Sequence, residues 1–289
     1  MKKNYTVPIT VSAIVGLIGV VAVLVFTLPK NNNVNNKTID DIVPPDVEHD
    51  NLLINTETNK ATYGYYPQSK VTDQSIIDSL NSTATSDSYE LNGDYYKKFE
   101  DKWYKYEEIN WIVVSQSENK YTLVSERLLD VEAFYNSLSN RNIEGKEIYP
   151  TNYEYSDIRA WLNDTFFNSA FSFHSAHIES TVIDNSISST DGESNPYTCS
   201  NTEDKVFLLS YQQYKLLDST VRRARHTEYS VAKNGYNDSG YGYYWTRSPY
   251  SNNEIVPWCV DQFGELYTNY GGDVTVKNCS VRPAIVVTK

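Results

Sequence analysis

The chain has 289 residues, 40% of them hydrophobic, enough for a real core in one large domain or two small ones. Its 25 Lys and Arg against 37 Asp and Glu give a formal net charge of -12, which argues against general adhesion to nucleic acid or to an anionic membrane surface. Twenty-five tyrosines supply half-buried strand positions and, where they face water, contact area with a polar tip.

No charged residue interrupts Val7 to Leu28, and about 20 apolar residues in a helix span a bilayer core. Lys2 and Lys3 precede this run, so the N-terminus is expected in the cytoplasm and everything after Lys30 outside. The run is longer than a secretory h-region, and VFTLPK offers no small-x-small cleavage site, so residues 1–29 read as a cytoplasmic tip and transmembrane signal anchor. Residues 30–60 are rich in Asn and Asp around the pair Pro44 and Pro45 and read as a flexible tether. The exported domain is expected over 61–289.

Within that domain ATYGYY, residues 61–66, reads as a strand and SIIDSL as a helical turn. YYKKFEDKWYKYEE predicts a hairpin turning at Glu100 and Asp101, and INWIVV with YTLVSE predicts a second around QSENK. SDIRAWLNDTFFNSAF sets Ile158, Trp161, Leu162, Thr165 and Phe166 at helical spacing behind a Ser156 cap. KVFLLS reads as a buried strand, and Ser210 with Gln213 makes a capping box for a helix to about Leu217. Residues 227–241 read as a loop with one helical turn at YSVAK. The remainder alternates strand and turn through GYYWTR, VPWCVD, LYTN, VTV and VRPAIVV.

The chemistry-bearing residues support binding better than catalysis. Aromatic residues crowd 236–270, and strand alternation sends about half outward. Tyr241, Tyr244, Tyr250, Trp258 and Tyr267, with Asn253, Glu254 and Asp261 beside them, form the candidate ligand-binding set. Arg247, Arg282 and Trp161 sit in apolar contexts and are expected to be structural, the arginines paired with carboxylates or carbonyls. Cys259 and Cys279 lie on two predicted strands of an exported domain and form a possible disulfide, with buried thiols as the other reading; Cys199 is left over. VRRARH, residues 221–226, has the charge to clamp an anion but reads as a solvated helix end or loop. His174 and His177 form an H-x-x-H without the i, i+4 spacing of a helical zinc motif and read as surface histidines, and His49 and His226 lie far off with no nucleophile nearby. Glu254 and Asp261 are oxygen ligands of the kind calcium takes, without a ligand pattern around them, so no cofactor or metal is expected.

INWIVV, DIRAWLNDTFFNSAF, DKVFLLS, TEYSVAKNG, YYWTRSP and CSVRPAIVV occur in an order and spacing that resembles the uncharacterised bacterial family called domain of unknown function 6273, over about Ala61 to Val287. That family is similar to the C-type lectin-like fold shared with formylglycine-generating-type enzymes. The resemblance implies a compact α+β domain with antiparallel sheets and two or three helices, with Ala61–Tyr66 paired to Val281–Val287 and loops displaying ligand contacts. It carries over no activity. The chain lacks the tryptophan-rich stretch of the formylglycine-generating enzymes and the Trp-Asn-Asp triplet of calcium lectins. The expectation is therefore a single-pass surface protein, held in the lipid bilayer through residues 7–28, whose ectodomain binds an extracellular carbohydrate or protein without catalysis. An extracellular enzyme of unknown type and a scaffold subunit of a membrane complex are the alternatives, and no nucleic-acid partner is expected.

Overall fold

The computed structural model describes residues 52–171, 175–192, 194–268 and 272–289. The expected anchor over Val7–Leu28 and tether residues 30–51 lie outside the described residues, as does His174. Among the described residues no helix is long and apolar enough to cross a membrane.

Period-two alternation dominates the first half and yields β1 (Leu53–Asn55), β2 (Lys60–Lys70), β3 (Ser88–Leu91), β4 (Asp94–Phe99), β5 (Lys102–Ser117) and β6 (Lys120–Ser125). Helix α1 (Gln74–Thr83) starts at Asp73, whose carboxylate accepts the Ser75 and Ile76 amides. Both predicted hairpins form, with their turns at Glu100 and Glu118, each at φ 53°. They share β5, one strand of 16 residues, because YKYEE and INWIVV continue a single alternation. β1 lies inside the stretch read as tether, and it pairs with β2, so the sheet reaches back at least to Leu53.

Next come the two-residue strands β7 (Arg127–Leu128) and β8 (Asp130–Val131), then the small hairpin of β9 (Arg141–Ile143) and β10 (Lys146–Ile148). Ser156 accepts the Arg159 amide and opens a helical run: α2 (Asp157–Trp161), a π turn over Leu162–Phe166, and α3 (Phe167–Phe171). The wider turn keeps Ile158, Leu162, Phe166 and Ala170 on the core at intervals of four. Thr165, expected on that face, is exposed. Trp161 packs half-buried on the core against Phe166.

β11 (Thr181–Ile183) pairs β12 (Thr202–Asp204), and β13 (Val206–Phe207) leads into α4 (Tyr211–Lys215) through the predicted Ser210–Gln213 capping box. Then follow α5 (Ser219–Arg222), β14 (Arg225–His226), α6 (Glu228–Ala232), β15 (Tyr244–Pro249), β16 (Pro257–Val260), β17 (Leu266–Tyr267), β18 (Ser280–Val281) and β19 (Ala284–Thr288). VTV, predicted as a strand, is a turn instead, because the Asp273 carboxylate accepts the Thr275 amide and hydroxyl; Val274 still reaches the core.

The strands form an eight-stranded sheet in the order β1-β2-β5-β6-β19-β13, with β4 also on β5 and β3 on β4, and a five-stranded sheet β17-β16-β15-β18-β8. The architecture is α+β with mostly antiparallel sheets. One expected pairing fails. β2 and β19 share the larger sheet, but β5 and β6 stand between them, since each finds a longer apolar partner there: β2 on β5, and β19 on β6 over five residue pairs.

The helical run covers the β2–β5 face, where Tyr63, Trp111, Phe166 and Phe171 join one core with Trp245 of the smaller sheet. Gly64, at φ 71°, makes this approach possible: a Cβ there would lie 2.5 Å from Phe171 Cε1. A buried polar network ties the layers together. Asp130 of β8 accepts from the Tyr66 hydroxyl, and Lys233 at the end of α6 reaches Asp130 at 2.6 Å and Glu132 at 3.1 Å.

Candidate binding cleft

The VRRARH segment is a helix end, one of its two expected forms, and then a strand: α5 closes at Arg222 with Arg223 as its C-cap. Arg225 and His226 form β14, which pairs in parallel with β7 and sets Arg225 directly beside Arg127. Tyr241 bridges back to Arg225, so Arg127, Arg225 and Tyr241 form a row. The Arg223 and Arg225 guanidiniums lie over the Tyr241 ring at 3.7 and 4.4 Å from its centroid, and Arg225 Nε donates to the Tyr241 hydroxyl at 3.1 Å. These side chains, with Lys60 and Glu126, line a cleft of about 500 Å³ between β14, β7 and the β1–β2 turn. Lys60 pairs with Glu126 at 2.8 Å. Among the described residues no carboxylate pairs with Arg127, Arg223 or Arg225. Their hydrogen-bond acceptors include backbone carbonyls: His226 O for Arg127 and Gln262 O for Arg223.

The cleft wall is held from beneath by the residues of the C-terminal motifs. Arg282 is wholly buried, and its guanidinium donates to Ser125 O, Val221 O, Arg222 O and the Tyr244 hydroxyl, all within 3.0 Å. The Tyr244 hydroxyl in turn donates to Arg222 O at 2.5 Å. Arg222 donates to Gly264 O at 2.6 Å, and Gly264, at φ 85°, lets the chain approach so closely that a Cβ would lie 2.6 Å from Ser219 O. Behind β14, His226 is buried between Ser230 Oγ at 2.7 Å and Tyr236 O at 2.8 Å. These partners fit a neutral ring with its proton on Nε2, and burial holds its pKa below the usual histidine value.

The sequence-derived ligand set is dispersed. Tyr241 lies in the cleft, but its ring supports two guanidiniums. Tyr244 is fully buried and structural, a correction that follows from its bonds to Arg222 and Arg282. Tyr250 and Trp258 pack together at 5.3 Å, with Tyr211 on Trp258 at 4.6 Å. Tyr267 pairs in register with Cys259, so it faces the opposite side of the sheet from Trp258. Asp261 accepts the Phe263 and Glu265 amides, Asn253 accepts the Ile255 amide, and the Glu254 carbonyl accepts from Thr151. The set therefore does not converge on one patch.

Arg247 is buried, as expected of a structural residue, and donates to Leu208 O, Asp184 O and the Gln213 side chain; burial lowers its pKa to about 10. Cys259 and Cys279 are neighbours in the core and stand as free thiols, each 1% exposed, the second of the two readings. Burial, with the Cys259 thiol beside it, holds the Cys279 pKa well above its ordinary value. His177 Nδ1 lies 2.6 Å from Thr288 O, a structural position.

Lys60 and Arg127 escaped sequence reasoning. They lie far from VRRARH along the chain: the pairing of two-residue strands places Arg127, and the β1–β2–β5 pairing places Lys60. Arg127 and Asn110 also line a second trough of about 730 Å³ in which carboxylates predominate, Asp94, Glu107, Glu108 and Glu228 against Lys105 and Arg127.

No curated protein and no solved structure matches the chain. A family model does match, over residues 118–289, and this span holds Arg127, Arg223, Arg225, Tyr241 and the supporting Tyr244 and Arg282, while Lys60 and INWIVV lie before it. By that match the chain belongs to the family described as Domain of unknown function (DUF6273).

Proposed function

We propose that this chain is a membrane-anchored bacterial surface protein whose folded domain binds an extracellular carbohydrate or protein ligand at the Arg223–Tyr241–Arg225 cleft without transforming it. In this reading Val7–Leu28 crosses the bilayer, the N-terminus is cytoplasmic, and the domain is a distant variant of the C-type lectin-like fold. One observation carries the proposal: guanidiniums are held in place over a tyrosine ring at an open cleft, with donors facing solvent. Donors fixed before the ligand arrives reduce the ordering entropy of binding. The one carboxylate in the lining, Glu126, is engaged by Lys60, so the groups present suit holding a ligand better than moving its protons. The anchor reading rests on the uncharged run, and the lectin-like reading on first and last strands that share a sheet.

The test is a glycan array and a wall-polymer pulldown with the full chain in neutral detergent micelles. Saturable binding that weakens about tenfold in Tyr241→Ala is expected, as for loss of a contact that orients charged donors. Turnover of the bound polymer, or binding that survives Tyr241→Ala and is lost in Trp258→Ala, would contradict the reading.

A further inference from the structure

We infer that the ligand of this cleft is an extracellular polymer bearing repeated oxyanions, carboxylate or phosphate, with at least two negative charges engaged at once. The inference rests on the binding reading above and specifies its ligand class.

Three features converge. Like charges set directly opposite on paired strands destabilise a sheet, yet parallel pairing fixes Arg127 beside Arg225, with Arg223 on the same Tyr241 ring. The chain has 37 acidic residues against 25 basic ones, but among the described residues none of its carboxylates pairs with these three cations. Exposed guanidiniums with neutral acceptors keep donors for a planar oxyanion, the geometry that Arg binds in a fork. Three uncompensated cations exceed what one carboxylate neutralises, which is why the ligand carries more than one.

Shape decides the source. The cations line a recess rather than a broad face, so a single polymer strand reaches them where a flat anionic bilayer does not. A strand of polymer that enters the recess meets Arg127, Arg223 and Arg225, while the one carboxylate of the lining, Glu126, is held by Lys60. Gly240, at φ 92°, supplies the left-handed backbone that turns the chain beside Arg225. The acidic trough that shares Arg127 bounds the cationic stretch and limits the number of anionic groups held.

The experiment titrates the full chain in neutral detergent micelles with polygalacturonate, polyphosphate, dextran and phosphatidylglycerol vesicles, each at low and high salt. Binding of either soluble polyanion is expected to fall about tenfold or more from 50 to 500 mM salt. It is also expected to fall about tenfold in Arg225→Gln and again in Arg127→Gln, with Arg225→Lys between Arg225→Gln and the parent. These side chains are exposed, and unchanged thermal unfolding will separate lost binding from lost fold. Salt-insensitive binding of dextran that ignores the arginine variants overturns the anionic class while leaving the binding reading in place. Binding to the vesicles alone overturns the polymer source. Silence with every probe and with the glycan array overturns both readings together.

Discussion

Arg282 and Arg225 show how one residue type takes two roles in this protein. Arg282 is wholly buried, and its carbonyl and hydroxyl acceptors fix the 221–222 backbone. Lysine has no planar fork to reach the same acceptors, so Arg282→Lys is expected to destabilise the fold by about 2–4 kcal/mol in denaturant unfolding; a change of less than about 1 kcal/mol would contradict this role. Arg225→Gln removes an exposed cation that faces Arg127, and stability is expected within ~0.5 kcal/mol of the parent. His226 titrates with a definite sign. Its folded pKa lies below the unfolded value of 6.5, so its stabilising contribution is complete above that pH and is lost as pH falls through the folded pKa. Glu132 and Asp204, whose carboxyls burial pushes up, contribute the opposite slope at lower pH, so the clean readout is the His226 ring itself. An NMR titration is expected to place it below 6.5, and a midpoint above that value would contradict the buried neutral ring.

At the scale of elements, local signals were legible and remote ones were not. The turns at Glu100 and Glu118, the Ser156 cap and the Ser210–Gln213 box each depend on residues within four positions of one another, and all form. The β7–β14 pair joins two-residue strands about a hundred positions apart, and no local pattern announces it. For that reason the helix end of VRRARH is legible in the sequence and the strand at Arg225 and His226 is not. The split of Tyr250 and Trp258 from Tyr241 and Tyr267 has the same origin, since a crowd in sequence does not say which face each ring takes. The π turn shifted one expected core position, Thr165, to the surface. Within that turn Asn163 accepts the Lys205 and Val206 amides and donates to Val206 O, joining the helical run to β13. Asn163→Ala leaves those groups without partners and is expected to cost about 2–3 kcal/mol, read by the unfolding midpoint in urea. A loss below about 0.5 kcal/mol would show that water replaces the amide.

For the molecule as a whole, the layout of charge says more than its total. An acidic chain keeps a cationic cleft and an acidic trough side by side, meeting at Asn110 and Arg127. The buried thiols belong to the core rather than to chemistry at the surface. Burial pushes the Cys199 pKa to about 11 and the Cys279 pKa well above its ordinary value, and Cys259 is 1% exposed, so native alkylation at neutral pH is expected to label none appreciably within minutes and all three after denaturation. Rapid native labelling of Cys259 or Cys279 would mean that the two sheets separate at that point. The central claim is that ligand engages the wall built by β7, β14 and Tyr241. Hydrogen–deuterium exchange of the full chain with and without bound polyanion tests it most directly. Protection is expected over 220–226 and 240–242 together with 126–128; protection centred instead on Tyr211, Tyr250 and Trp258, with none at β14, would contradict it.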